Sequence, residues 1–268
     1  MTTAETLRIT LIQADMVWED KSANLDHYSS LIERITGPKE VVVLPEMFST
    51  GFSMEPLRLA ESMEGASIQW MRETARQHRI ILTGSLIIEE DGQYFNRLIW
   101  MQPDGTYGSY DKRHLFGYAG EDAAYTPGDR RLVVQVKGWR ICPLICYDLR
   151  FPVWARNNAG SGGSAEAAYD VLLYVANWPQ RRSLAWSTLL QARAIENQSY
   201  CVGVNRVGSD GKGIAYSGES SVFDPMGELL WQQADVETVH TVELSMQKLQ
   251  ETRSGLPFLK DADRFVIP

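Results

Sequence analysis

The chain has few of the residues that build disulfide-stapled or metal-stabilised domains. Its 268 residues include three cysteines and four histidines. An odd number of cysteines in a chain of this length suits a reducing compartment and argues against a disulfide framework. Cys142 and Cys146 are close in sequence, but on an extended strand they would lie about 13 Å apart, too far for a bridge or a shared ion. We therefore expect neither a disulfide nor a metal site.

Basic charge and long apolar runs are also scarce. The 26 basic and 34 acidic residues give a net charge of −8, whereas nucleic-acid binders normally carry clustered positive charge. No apolar run is long enough to cross a bilayer, and the segment MTTAETLRITLIQAD lacks a basic region followed by an apolar signal core. We expect a cytoplasmic protein that acts on a small molecule, with no nucleic-acid or membrane partner.

Hydrophobic periodicity predicts strands and helices that alternate at first and then give way to paired strands. Strands are predicted over 7–14, 41–44, 80–88, 94–101, 107–110, 132–136, the run that ends before Cys146, 171–175, 201–207, 217–223, 228–232 and 239–244. Helices are predicted over 21–36, 67–79, from Pro152 to about Asn157, from a Ser183 cap to Asn197, and over 246–252. This order indicates a mixed sheet in an α/β layer fold.

Two segments show no clear period. The polar stretch after Tyr110 contains Lys112 and Glu121 and is predicted to be a long loop, which in a compact domain is usually functional or mobile. The stretch from Asn157 to Tyr169 is rich in Gly, Ser and Ala and is predicted to be an exposed, flexible insertion.

Three chemically active residues lie at or just beyond the ends of predicted strands. Glu46 follows an all-apolar strand, Cys146 follows another, and Lys112 opens the long loop after a third. In an open sheet such positions collect at one edge, where active sites form. A buried carboxylate can deprotonate a thiol, and an ammonium can stabilise both anions or an oxyanion. From the residues alone, Cys146 could also be a small buried hydrophobe and Glu46 a loop brace.

The segments around these residues resemble a known family. LPEMF around Glu46, YDKRHLF around Lys112 and CYDLRFP around Cys146 are similar to the three signature segments of the nitrilase superfamily of carbon-nitrogen hydrolases. Further matches are NRL at Asn96, YVANWP at Tyr174, RAIENQ at Arg193 and NRVG at Asn205. The resemblance covers nearly the whole chain and is strongest to the omega-amidase branch.

The resemblance implies a single carbon-nitrogen hydrolase domain over residues 1–268, folded as a four-layer α-β-β-α sandwich with two mixed sheets. It also implies at least a homodimer formed through the helix layer, and no cofactor. Cys146 would be the nucleophile, Glu46 the general base and Lys112 the stabiliser of the tetrahedral intermediate. The backbone N–H of Tyr147 would be a second oxyanion donor, and Glu121 would orient the site.

The resemblance also points to a substrate class. Omega-amidases hydrolyse the terminal amide of short dicarboxylic acid monoamides such as 2-oxoglutaramate and 2-oxosuccinamate. Such a substrate presents a carboxylate that needs a fixed cation, for which Arg150, Arg181 and Arg182 are candidates. Tyr118 and Trp178 could line the pocket or cover the core.

Three other functions remain open at this stage. A nitrilase or an N-carbamoyl amidohydrolase would use the same Cys-Glu-Lys trio on another substrate. A papain-like Cys-His hydrolase would need a partner histidine, but His27, His78 and His240 occupy polar or helical settings and His114 sits beside Lys112 in a matching motif. A non-enzymatic binding protein would not be expected to keep base, cation and nucleophile together.

Overall fold

The structure, a computed structural model, describes residues 3–157 and 167–263. Its strands are β1 (Thr6–Gln13), β2 (Val41–Val43), β3 (Ile81–Glu90), β4 (Gln93–Met101), β5 (Tyr107–Asp111), β6 (Val134–Val136), β7 (Trp139–Ile145), β8 (Val171–Val175), β9 (Tyr200–Val204), β10 (Val207–Ser209), β11 (Ala215–Phe223), β12 (Leu229–Ala234) and β13 (Thr238–Ser245). Its helices are α1 (Lys21–Glu33), α2 (Pro56–Leu59), α3 (Ala66–His78), α4 (Glu121–Ala124), α5 (Pro152–Ala155), α6 (Ser183–Asn197) and α7 (Met246–Gly255).

The strands of the described ranges form two mixed sheets with the same design. One sheet has the order β13-β1-β2-β3-β4-β5, and the other has the order β10-β11-β9-β8-β7-β6 with β12 paired to β11. Parallel pairing occurs at the centre of each sheet, among β1, β2 and β3 and among β7, β8 and β9, with antiparallel strands outside. The carboxyl ends of two parallel cores are therefore available to build a site.

The two sheets share one buried core. Ile9 and Val43 of the first sheet lie in the same continuous cluster as Leu144 of the second. Because side chains alternate between the faces of a strand, Val42 points the other way and packs with Met71 of α3 in a separate cluster. Sheet thus faces sheet, and helices cover the outside, which confirms the predicted α-β-β-α sandwich.

Most predicted elements are present, with four differences of detail. The segment after Tyr110 is not entirely irregular, because it contains a 3₁₀ turn at Gly117–Ala119 and the single-turn helix α4. The helix that Pro152 opens ends at Ala155 rather than near Asn157. Helix α6 has Arg182, not Ser183, at its cap position, and no side chain caps it. The predicted strand over 201–207 breaks after Val204 into β9 and β10.

Most of the predicted insertion lies outside the described residues, which omit 158–166. Its two described ends are joined by the buried Asn157 side chain. The side-chain amide of Asn157 donates to the carbonyl of Tyr169 (3.0 Å), and its carbonyl oxygen accepts from the backbone N–H of Ala168 (2.8 Å). These bonds tie residue 157 to residues 168 and 169, directly before β8.

No helix in residues 3–157 and 167–263 combines the length and the apolar character required to cross a membrane.

Helix α6 packs closely on β9 because Gly203 has no side chain. A Cβ atom at Gly203 would lie 2.5 Å from Leu190 Cδ1 and 2.7 Å from Trp186 Cζ2. The Trp186 indole is held in place, since its N–H donates to the carbonyl of Glu219 (2.8 Å). This close packing fixes the distance between α6 and the sheet, and with it the position of the loop before α6.

We expect Gly203→Ala to lower the free energy of unfolding by about 1–3 kcal/mol, because the added methyl group overpacks the α6–β9 contact. Urea denaturation measures this loss. Gly255→Ala is the matched control, since a Cβ there meets nothing within 4 Å, and its effect is expected within about 0.5 kcal/mol. Equal effects of the two substitutions would contradict the packing argument.

Candidate active site

Cys146 sits at a sharp turn directly after the buried strand β7. Its φ of 43° lies in the left-handed region, which a residue with a side chain occupies at a cost of about 1–3 kcal/mol. The chain then continues as a 3₁₀ turn over Cys146–Arg150. The thiol is 8% exposed and lines a cavity. The strand thus delivers a nearly buried sulfur to an open space.

A buried aspartate that sequence reasoning did not single out holds this turn. The Asp148 carboxylate accepts from the N–H of Ile145 (3.1 Å), the hydroxyl of Tyr110 (2.7 Å) and the N–H of His114 (3.0 Å). The His114 ring also contacts Asp148 through Nδ1 (2.8 Å) and stacks on Phe151 at 3.7 Å between ring centres. His114 therefore braces the turn through Asp148 and is not arranged as a papain-like partner of the thiol.

The Glu46 carboxylate is fully buried just beyond the end of β2. Its Oε1 accepts from Lys112 Nζ (2.8 Å) and from the Asn96 side-chain amide (2.8 Å). Its Oε2 accepts from the backbone N–H of Asn177 (2.8 Å), beyond the end of β8 in the other sheet. The Asn177 side chain in turn donates to the carbonyl of Glu46 (2.6 Å). These bonds between Glu46 and Asn177 join the edge of one sheet to the edge of the other.

Lys112 lies between two buried carboxylates. Besides Glu46, its Nζ contacts both oxygens of Glu121 at 2.9 Å. Glu121 also accepts from the N–H of Phe116 (2.6 Å) and from the side chain of Asn96 (3.1 Å). The structure therefore brings Glu46, Lys112, Glu121 and Cys146 together, as the sequence predicted, and adds Asn96 and Asn177.

Burial and charge shift the pKa values of these groups in ways that matter for chemistry. Burial lowers the pKa of Lys112, but Glu121 and Glu46 outweigh it and hold that pKa above the ordinary value. Burial raises the pKa of Glu121. Burial, followed by the charge of Glu46, raises the pKa of the Cys146 thiol well above its usual range. The resting site therefore contains a charged ammonium and a neutral thiol.

The cavity above Cys146 has a volume of about 200 Å³, which fits a small metabolite. Apolar side chains on its wall include Phe52, Met54, Phe116 and Trp178. Cationic side chains on the same wall are Lys112, Arg150, Arg181, Arg182 and Lys212, with Asp210 the acidic one. The cavity is thus basic although the chain as a whole is acidic.

The remaining sequence-predicted residues also reach this cavity. Trp178 is 4% exposed and forms part of the wall, whereas Tyr118 is 80% exposed at the rim. Tyr147 lines the cavity from the first turn after the thiol. Arg150 and Arg181 lie on the basic wall, and their predicted role in substrate binding stays a prediction. The sequence did not single out Lys212, Asp210 or Tyr216, which come from the β10–β11 hairpin.

Comparison with known proteins identifies the family. A family model described as carbon-nitrogen hydrolase matches residues 8–254. Omega-amidase YafV of Escherichia coli (strain K12) is 46% identical over 260 residues, covering 97% of this chain and 98% of the relative. The chain belongs to the carbon-nitrogen hydrolase family. It is a hydrolase that acts on carbon–nitrogen bonds of amides.

Two further relatives agree with this membership. The 2-oxoglutaramate amidase of Bacillus subtilis (strain 168) is 30% identical over 256 residues, covering 94% of this chain and 96% of the relative. XC1258 of Xanthomonas campestris, a CN-hydrolase superfamily protein with an arsenic adduct in its active site, superposes with a TM-score of 0.96 at 43% identity, covering 99% of this chain and all of the other. The predicted resemblance to the omega-amidase branch of the nitrilase superfamily is confirmed.

We expect Lys112→Met to lower the free energy of unfolding by about 3–5 kcal/mol, because it leaves two buried carboxylates without their cation. Without the ammonium the pKa of Glu121 rises further, so the folded variant binds more protons than the unfolded chain. The loss is then smallest near about pH 4 and grows as pH increases. Urea denaturation at low and neutral pH measures both effects.

Lys137→Met is the control for this substitution. Lys137 is exposed, and its partner Glu40 keeps a second bond from the backbone N–H of Arg8 (2.6 Å). Its loss is expected below about 1 kcal/mol. A Lys112 variant as stable as the Lys137 variant at neutral pH would refute the electrostatic account of the site.

Proposed function

We propose that this carbon-nitrogen hydrolase is an omega-amidase, which releases ammonia from the terminal amide of short dicarboxylic acid monoamides such as 2-oxoglutaramate and 2-oxosuccinamate. The observation that carries the proposal is the position of Cys146, between the buried Glu46–Lys112 pair and a basic cavity wall. The similarity to proteins named omega-amidase and 2-oxoglutaramate amidase supports it.

In the proposed first step Glu46 is the general base. Its Oε1 already accepts two N–H donors, whereas Oε2 accepts, from the part of the chain that the structure describes, only the Asn177 N–H. The remaining lone pair of Oε2 therefore takes the thiol proton. Because the pKa of Cys146 is raised, the thiol loses this proton only as sulfur attacks the amide carbon, forming a C–S bond and an oxyanion.

Lys112 and the Tyr147 N–H would stabilise that oxyanion. The three contacts of Lys112 Nζ occupy its three hydrogens, and two of them go to Glu121. We therefore assign Glu121 the role of orienting the Lys112 ammonium. When the oxyanion forms, one Lys112 N–H leaves Glu121 and donates to the oxyanion instead. Removing one oxyanion donor typically costs about 10²- to 10³-fold in rate.

The oxyanion then collapses and the C–N bond breaks. Glu46 returns its proton to the departing nitrogen, because ammonia is a far better leaving group than amide ion. A thioester on Cys146 remains. Water, deprotonated by Glu46, attacks the thioester carbon, and the C–S bond breaks to release the acid while the proton returns to sulfur. The cycle consumes one water and uses no cofactor.

The basic wall explains the choice of a carboxylate-bearing amide. Within the described residues, no carboxylate lies within salt-bridge distance of Arg150, Arg181 or Arg182, which leaves these cations available to a substrate anion. Trp178 and Tyr118 would shape the cavity around the short carbon chain. A nitrile or an N-carbamoyl amino acid could react with the same Cys146, and the test below includes both.

Ammonia release from 2-oxoglutaramate and succinamate is expected for the wild type, and a loss of at least about 10³-fold is expected for Cys146→Ala and Glu46→Gln. Glutamine, a simple nitrile and an N-carbamoyl amino acid are assayed in parallel. Cys201→Ala is the matched control, because Cys201 is a fully buried thiol of β9, and its activity is expected within about twofold of wild type.

Two results would contradict the proposal. Preference for the nitrile or the carbamoyl compound would agree with the assigned catalytic residues but contradict the assigned substrate. Activity that survives in Cys146→Ala would refute the thioester mechanism.

We also propose that the chain is a single domain that works as a homodimer, formed through the helix layer, in the cytoplasm. The family match across 8–254 supports one domain. The exposed apolar side chains of Ile195 on α6 and Met226 beside it support a dimer face. Three cysteines that are all buried free thiols support a reducing compartment.

Sedimentation velocity is expected to give twice the mass of one chain, and Ile195→Asp is expected to shift the population toward the monomer because it buries a charge in an apolar contact. A monomeric wild type at micromolar concentration would contradict the dimer.

A further inference from the structure

Trp178 organises two of the cavity's cations. Its indole N–H donates to the carbonyl of Arg182 (2.8 Å), which fixes the backbone of that residue at the start of α6. Its ring lies 4.8 Å from Arg150 Cζ, in cation–π contact. The Trp178 backbone is fixed as well, since its N–H donates to the side chain of Asn205 (2.8 Å). One buried ring thus contacts the guanidinium group of Arg150 and fixes the backbone from which the Arg182 side chain extends.

The Arg182 guanidinium group has an aromatic contact of its own. Its Cζ lies 5.1 Å from the ring of Phe116, which belongs to the loop that carries Glu121. Arg150 and Arg182 are both half-buried, whereas Arg181 and Lys212 are exposed at the rim. Partial burial strengthens the attraction of a guanidinium for an anion, and a planar fork matches a carboxylate in two bonds.

Among the described residues of the cavity wall, Asp210 carries the single carboxylate, and it is already engaged. Asp210 Oδ1 accepts from the N–H groups of Lys212 and Ile214 (both 2.9 Å), and its Oδ2 accepts from the hydroxyl of Tyr216 (3.0 Å). Asp210 therefore braces its own loop. In the part of the chain that the structure describes, it forms no ion pair with the arginines.

The surroundings of Arg182 disfavour its positive charge. Burial, then the charges of Arg181 and Arg150, lower the pKa of Arg182 below its ordinary value. Like charges held together in a half-buried cavity repel one another until an anion enters. A negative charge on Cys146 has the opposite effect and raises the pKa of Arg182, so an anion near the sulfur is favourable to this arginine.

We propose that Arg150 and Arg182, arranged by Trp178, are the pair that binds the carboxylate at the end of the substrate remote from the amide. This inference rests on the proposed function and refines it. Arg181, which the sequence also suggested, steers anions at the rim but does not hold them. The ligand class is a short aliphatic monoamide whose far end is a carboxylate.

The test compares two amides that differ only at that end. Succinamate carries a carboxylate where butanamide carries a methyl group, and both are assayed with wild type, Arg182→Gln, Arg150→Gln, Arg182→Lys and Arg181→Gln. We expect kcat/KM for succinamate to fall about 10²-fold in Arg182→Gln and Arg150→Gln, mainly through KM, and kcat/KM for butanamide to change by less than about threefold. Arg182→Lys is expected to recover part of the loss, since it keeps the charge without the fork.

Arg130→Gln is the control, because Arg130 is 90% exposed and lies outside the cavity wall. Binding of succinate and butanoate to the Cys146→Ala protein, measured by calorimetry, gives the same comparison without turnover.

Equal losses on both amides in Arg182→Gln would show a structural role and overturn the inference, as would a larger loss in Arg181→Gln than in Arg182→Gln. Failure of the proposed function looks different, because the wild type would then not release ammonia from succinamate through Cys146 at all.

Discussion

The contact between the Lys112 ammonium and two buried carboxylates is the constraint on which the rest of the site depends. Glu46 comes from the end of β2 and Glu121 from the loop after β5, and both are fully buried. A buried carboxylate is costly unless a cation is paired with it, and Lys112 is the cation that both share. The ion cluster therefore fixes three segments relative to one another before any substrate is present. It is preorganised in the sense that catalysis requires, with donors already in place.

The fold builds this site from two sheets of the same design. Each sheet has a parallel centre, and the carboxyl ends of β2, β7 and β8 deliver Glu46, Cys146 and Asn177 to the same place. The Glu46–Asn177 bonds cross from one sheet to the other. Packing of sheet against sheet, which buries apolar side chains, is thus the same event that brings Glu46 to Cys146.

Much of this arrangement could be predicted from the sequence, because a Glu, a Cys and a Lys at the ends of apolar strands are unusual and the surrounding segments resemble a family. Asn96, Asp148 and Asn177 were missed as individual residues, although each lies in a segment that the resemblance covered. Asn96 lies within β4, and Asp148 and Asn177 lie just beyond β7 and β8. A polar side chain at such a position does not reveal which group it will bond. The cavity wall was harder to predict, because Asp210 and Lys212 come to line the same cavity as Cys146 only through tertiary folding.

The neutral state of the Cys146 thiol has a consequence for the durability of the protein. Peroxides and alkylating agents react with thiolates far faster than with thiols. Burial and the neighbouring Glu46 charge raise the pKa of the Cys146 thiol and keep the proton on sulfur. The burial and the Glu46 charge that raise the pKa of the thiol therefore also make it resistant to oxidation between turnovers.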